Sequence, residues 1–262
     1  MKIGVFDSGV GGLTVLRELV RRLPSADYLY FGDTARLPYG SKSKATVAKY
    51  AIGAVEYLVQ RGAERIVIAC NTACALAFSE IASAAKVPTT GVIEPGAHRA
   101  TEESRSKQVA VIATEGTVKS HAYRSALERL GVRAIEKACP LFVPLVEEGW
   151  LDHPVTEQVA HIYLDGLRRE APEADALVLG CTHYPLLKPL LARVIGDRTG
   201  SGIVIVDSAE STAAEVAQLV GTGHGSGSVQ FFATDSVEKF RRAGEKFMGR
   251  PIDGVEHVDL EQ

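Results

Sequence analysis

The sequence predicts an α/β fold of two pseudo-symmetric, Rossmann-like lobes with mainly parallel sheets, and three observations carry that prediction. Short β-branched runs alternate with longer helical patterns throughout the chain. The strand candidates are apolar along their whole length, as strands covered on both faces must be. The chain also repeats itself. Ile3-Gly4-Val5-Phe6-Asp7-Ser8 is matched by Val109-Ala110-Val111-Ile112-Ala113-Thr114, and Val67-Ile68-Ala69-Cys70-Asn71-Thr72 by Leu177-Val178-Leu179-Gly180-Cys181-Thr182, at similar spacing in each half.

Taken in order, Lys2–Phe6 reads as a buried strand and Gly12–Arg22 as a helix. In that helix Leu13, Leu16, Leu19, Val20 and Leu23 share one face. Tyr28–Phe31 is the next strand, Lys44–Arg61 a helix, Arg65–Ala69 a strand and Thr72–Ala85 a helix. The crossover to the second lobe falls near Val92–Gly96. Strand Gln108–Ala113, helices Thr117–Leu130 and Thr156–Arg169, and strands Ala176–Leu179 and Gly202–Val206 build that lobe. Gly221–Ser228, rich in Gly and Ser, reads as a loop. The strand Val229–Ala233 and a helix after it return to the first lobe. The expected domains are residues 1–95 with 208–262, and residues 96–207.

Composition narrows the function. With 262 residues, 46% hydrophobic and 23% charged, the chain has the makeup of a globular domain pair with a sizeable core. A net charge of −3 leaves no electrostatic footprint for nucleic acid or an anionic membrane. No apolar run approaches the length of a membrane span, and Asp7 ends the first run before a signal-peptide core could form. Four cysteines do not make a disulfide scaffold in a chain this long, which points to reduced thiols and the cytoplasm.

Polar residues gather where strands hand over to helices: Asp7-Ser8, Asp33, Cys70-Asn71-Thr72, Thr114, Cys181-Thr182-His183 and Asp207-Ser208. Open parallel sheets bind ligands at this edge, where the following helices aim free amides. Asn71, Thr72 and Thr182 fit there as helix caps or as substrate donors. Gly9-Val10-Gly11-Gly12-Leu13-Thr14 has Thr14 in place of the third glycine of a dinucleotide loop, and Asp7 stands where pyrophosphate would lie, so nucleotide binding is not expected. A zinc site from Cys70, Cys74, Cys181 and His183 has poor spacing, and no metal is expected. Cys139 and Cys74 read as packing. Cys70 and Cys181 differ: each follows an apolar strand and precedes a helix whose dipole favours a thiolate. Across a cleft between two lobes, opposed thiols could invert a carbon centre, one removing a proton and the other supplying one to the opposite face.

The motifs Phe6-Asp7-Ser8-Gly9-Val10-Gly11-Gly12, Leu37-Pro38-Tyr39-Gly40, Ala69-Cys70-Asn71-Thr72-Ala73 and Gly180-Cys181-Thr182-His183-Tyr184-Pro185 resemble those of the bacterial glutamate racemases, nearly end to end. The resemblance implies cofactor-independent interconversion of L- and D-glutamate, D-glutamate for peptidoglycan, a site between the lobes, and a homodimer. It implies that Cys70 acts on D-glutamate and Cys181 on L-glutamate, with Asp7 and His183 as their polar assistants and Glu147 as a further carboxylate, the adjacent Glu148 standing as the alternative for that role. Asp7, Ser8, Tyr39, Gly40, Asn71, Thr72, Thr182 and His183 match substrate-contacting positions, and Thr114 joins them from its strand end. Three alternatives stay open: an aspartate or other amino-acid racemase, a thiol hydrolase using Cys181 with His183, and a binding protein that needs the cleft but neither thiol.

Overall fold

In the computed structural model, which describes residues 1–199, 202–221 and 224–260, the apolar runs pair into two separate sheets. Every described ladder in them is parallel. The first sheet takes β1 (Lys2–Asp7), β2 (Asp27–Gly32), β3 (Arg65–Ile68) and β4 (Thr89–Gly91), joined by β9 (Val229–Ala233) and β10 (Val255–His257). Its order is β10-β9-β2-β1-β3-β4. The second takes β5 (Gln108–Ala113), β6 (Arg133–Ala138), β7 (Ala176–Gly180) and β8 (Val204–Asp207), in the order β6-β5-β7-β8. Without β9 and β10, the first order is β2-β1-β3-β4, which matches the second strand for strand. The repeat in the sequence is therefore a repeat in topology, and β3 and β7 are equivalent strands.

Burial explains the continuous apolar runs. Ile3, Val5 and Phe6 in β1, Ile66 to Ile68 in β3, Val109, Val111 and Ile112 in β5, and Leu177 to Leu179 in β7 are all buried. Helices cover both faces: α1 (Leu13–Arg22), α2 (Lys44–Gln60), α3 (Asn71–Ala85) and α4 (Ile93–Glu103) accompany the first half. In the second half come α5 (Glu115–Ser120), α6 (Ala122–Arg129), α7 (Phe142–Glu147), α8 (Pro154–Glu170) and α9 (Lys188–Thr199). The chain continues with α10 (Ser208–Val220) and α11 (Val237–Met248). The tail returns to the first sheet, where β9 pairs with β2.

Several expectations change. The helix expected over Thr117–Leu130 is two helices, because His121 sits at φ 55, left-handed, and Ser120 turns its hydroxyl back to the Thr117 carbonyl. The passage between sheets is a full helix, α4, that accommodates Pro95 in its first turn where no amide partner is needed. β8 begins at Val204 rather than Gly202. Residues 222 and 223 of the expected Gly221–Ser228 loop, and 261 and 262 of the tail, lie outside the described residues; the rest of that loop forms no regular element before β9. Among the described residues no helix is long and apolar enough to cross a membrane.

Candidate active site

The strand ends converge on one cavity of about 490 Å³. Ser8, Tyr39, Gly40, Asn71, Thr72, Thr114, Glu147, Cys181, Thr182, His183 and Cys70 all line it. Of the residues expected to act on or touch the substrate, Asp7 alone is not in the lining; it is buried, and its charge acts on Cys70. Glu148 is also absent from the wall, so Glu147 is the carboxylate that reaches the site. Leu37, Pro140, Val143 and Pro144 add an apolar rim, and no described lining residue is lysine or arginine.

The lobes meet through a close contact that depends on Gly11, and Gly12 packs as closely within its own lobe. A Cβ on Gly11 would lie 2.3 Å from Thr182 Oγ1 and 2.5 Å from His183 Nδ1; one on Gly12 would lie 2.5 Å from the Asp7 Cβ. These glycines serve protein packing, which is why the loop resembles a nucleotide loop without being free to cradle a pyrophosphate. Thr14, in place of that motif's third glycine, donates its hydroxyl to the Thr182 carbonyl at 3.0 Å. Thr72 and Thr114, from opposite lobes, share a hydrogen bond of 3.0 Å between their hydroxyls.

Cys70 is itself the N-cap of α3, accepting from the Cys74 amide through its carbonyl, so Asn71 and Thr72 are the first helical residues and not the caps expected. The Cys70 thiol donates to Ser8 Oγ at 3.5 Å. Contrary to the expected thiolate, burial, then the Asp7 charge, push this thiol up to about 12. Desolvation outweighs the helix dipole here. Asp7 is raised as well, by burial above all, against the pull of nearby amides and His183. Its Oδ2 accepts from the Gly9 amide at 2.9 Å, while its Oδ1 has no partner.

Cys181 also departs from expectation, for it precedes a short 3₁₀ turn, Tyr184–Leu187, and the α-helix begins only at Lys188. Its neighbour is a side chain instead. The His183 Nδ1 lies 4.0 Å from the Cys181 Sγ, and its Nε2 lies 3.2 Å from Glu147 Oε1. Burial opposes charge on the ring, but hydrogen bonds to Cys181 and Glu147, and their charges, outweigh it and raise the His183 pKa. Phe247 of α11 meets the ring edge-on at 5.1 Å. The other two thiols pack: Cys74 donates to the Ile68 carbonyl at 3.2 Å, and Cys139 is wholly buried. Among the described residues no three His, Cys, Asp or Glu side chains are grouped to hold a metal ion.

Sequence reasoning missed supporting residues. The Tyr39 hydroxyl donates to Asp33 Oδ2 at 2.5 Å, and Arg36 and Thr234 also donate to Asp33. Tyr39 therefore offers the cavity its ring and backbone rather than its phenol. Asp33 stood out as a strand-end residue, but its partner Thr234 comes from the far end of the chain. Tyr123 donates to Asn71 Oδ1 at 2.7 Å, and nothing in the helix pattern around it signalled that contact.

Comparison with known proteins agrees with this geometry. The family model described as Asp/Glu/Hydantoin racemase matches residues 3–216. The chain is 56% identical to a glutamate racemase of Koribacter versatilis, over 98% of this chain and 97% of that one. Among solved structures it is similar to the glutamate racemase of Thermus thermophilus in complex with β-chloro-D-alanine, at 43% identity and a TM-score of 0.86, covering 99% of this chain and 97% of that one. It is similar too to the glutamate racemase of Francisella tularensis in complex with D-glutamate, at 34% identity and a TM-score of 0.89, covering 99% and 98%.

Proposed function

The chain belongs to the Asp/Glu/Hydantoin racemase family, among its glutamate racemases, and from that premise we propose that it inverts the Cα of glutamate by transferring protons between two thiols. The observation that carries the mechanism is that Cys70 and Cys181, buried after equivalent strands, line one cavity from different lobes. On this reading the lobes are residues 1–95 with 208–262, and 96–207. No cofactor takes part in the reaction.

With L-glutamate bound, the Cys181 thiolate removes the α-proton while the Cys70 thiol delivers its own proton to the opposite face. D-glutamate leaves, Cys181 is now a thiol and Cys70 a thiolate, and D-glutamate reacts by the same path reversed. The raised Cys70 pKa suits a residue that waits as an acid. Asp7, also raised and buried beside it, can carry the proton that Cys70 exchanges, and His183 does so for Cys181.

The α-proton of an amino acid is far less acidic than a thiol, so the site must stabilise carbanion character. The hydroxyls of Ser8, Thr72, Thr114 and Thr182, the Asn71 amide and the protonated His183 supply donors for the two carboxylates. Closure of the lobes excludes water around them. The relative from Francisella tularensis holds D-glutamate, which supports the same ligand here. The reading extends to a homodimer in the cytoplasm that supplies D-glutamate for peptidoglycan.

Circular dichroism of L-glutamate and L-aspartate, each incubated with the cofactor-free protein, tests the substrate. Decay of the glutamate signal alone is expected; decay for aspartate alone selects an aspartate racemase. The placement of His183 near Cys181 also suits a thiol hydrolase. A covalent acyl adduct on Cys181, detected by mass spectrometry, would favour that chemistry.

A further inference from the structure

Tyr123 does not line the cavity, yet it touches both cysteine-bearing turns. Its ring is fully buried on α6. One edge lies against Gly180, the residue before Cys181, where a Cβ would come within 2.9 Å of Tyr123 Cε2. The hydroxyl passes Gly96, where a Cβ would lie 3.3 Å from it, and donates across the lobes to Asn71 Oδ1 at 2.7 Å. Asn71 follows Cys70 and faces the cavity, and its Nδ2 is buried with no partner.

A carboxamide whose oxygen is held by Tyr123 is fixed in orientation, and its remaining free groups are the N–H donors of Nδ2. A buried donor left without a partner is costly, so this one awaits an acceptor such as a carboxylate. Free rotation about the last torsion would instead present Oδ1 half the time, and Oδ1 repels a carboxylate.

We propose that Tyr123 is a positioning residue that locks the Asn71 carboxamide with Nδ2 facing the substrate carboxylate. Because the lock joins α6 to α3, substrate binding is tied to the correct seating of the two lobes. The identity of that carboxylate as glutamate's rests on the function proposed above; the lock itself rests on the contacts.

Tyr123→Phe keeps the ring against Gly180 and removes only the hydroxyl. It is expected to raise KM for both enantiomers about tenfold, the loss of one well-placed hydrogen bond, with kcat changed by less than about twofold. In an Asn71→Ala background the same substitution is expected to add no further rise, because there is no carboxamide left to orient. An equal rise in both backgrounds, or none in the native one, overturns the proposal, since a merely structural tyrosine does not depend on Asn71. The cycle is read a second time as D-glutamate affinity in Cys70→Ser, Cys181→Ser protein, where turnover plays no part. Coupled binding in a native chain that never exchanges its substrate's Cα proton contradicts the racemase reading and leaves the lock intact.

Discussion

Cys70 and Cys181 close equivalent strands, β3 and β7, of two sheets with the same strand order. Their surroundings are opposite in sign. Behind Cys70 stands Asp7, whose negative charge adds to burial in holding that thiol up at about 12. Beside Cys181 stands His183, which Glu147 and Cys181 keep protonated against the cost of burial. Under the proposed two-thiol mechanism, that contrast is how one scaffold would serve two enantiomers. Equivalent strands set the two thiols in matching places, and the loops after them set each thiol's electrostatic company.

The largest effect expected breaks the pair outright. Cys70→Ser or Cys181→Ser should cut racemisation about 10³-fold, the scale of a lost general acid or base, as followed by circular dichroism of L-glutamate. Next comes the contact that holds the two turns in register. Gly11→Ala drives a Cβ into Thr182 and His183, and kcat/KM should fall by about 10- to 100-fold with a lowered Tm. Gly196→Ala on α9, with nothing within 4 Å, is the matched control and should leave activity unchanged.

Two milder substitutions test each side's electrostatics. Asp7→Asn removes a charge that raises Cys70, so in a Cys181→Ser background the thiolate absorbance should appear at lower pH than in Cys181→Ser alone. Glu147→Gln removes a partner that raises His183. A histidine whose folded pKa is raised stabilises the fold fully below its unfolded value and loses that contribution as pH climbs through the folded one. The native chain should therefore exceed Glu147→Gln in Tm most at about pH 6, just below the unfolded value of 6.5, with the gap closing towards about pH 10. Glu147 is partly exposed, and solvent screening keeps that gap small. Smallest of all, Cys74→Ala should cost about 1 kcal/mol of stability and less than about twofold in activity, since Cys74 only packs.

Much of this contrast was legible in the sequence, for definite reasons. Fully buried parallel strands leave continuous apolar runs, so β1, β3, β5 and β7 were readable. The polar residues at their ends stood out against those runs, which is how Cys70 and Cys181 were found. β4 escaped because three residues carry no period, and β6 because its charged residues Arg133, Glu136 and Lys137 interrupt any apolar run or alternation, Glu136 being buried against Arg124 and His121. The thiolate expected at Cys70 failed because a local helix argument includes neither desolvation nor Asp7, brought from the neighbouring strand. Tyr123 could not be read at all: an aromatic on the buried face of a helix looks the same whether its hydroxyl is idle or joins two lobes.

The proposed division of labour, one thiol for each enantiomer, is tested most directly by deuterium entry at Cα from solvent. Cys70→Ser should still exchange the α-proton of L-glutamate through Cys181 while losing exchange of D-glutamate, and Cys181→Ser should do the reverse. Equal labelling of both enantiomers in either variant would contradict the account, because a single base would then reach both faces of the carbon.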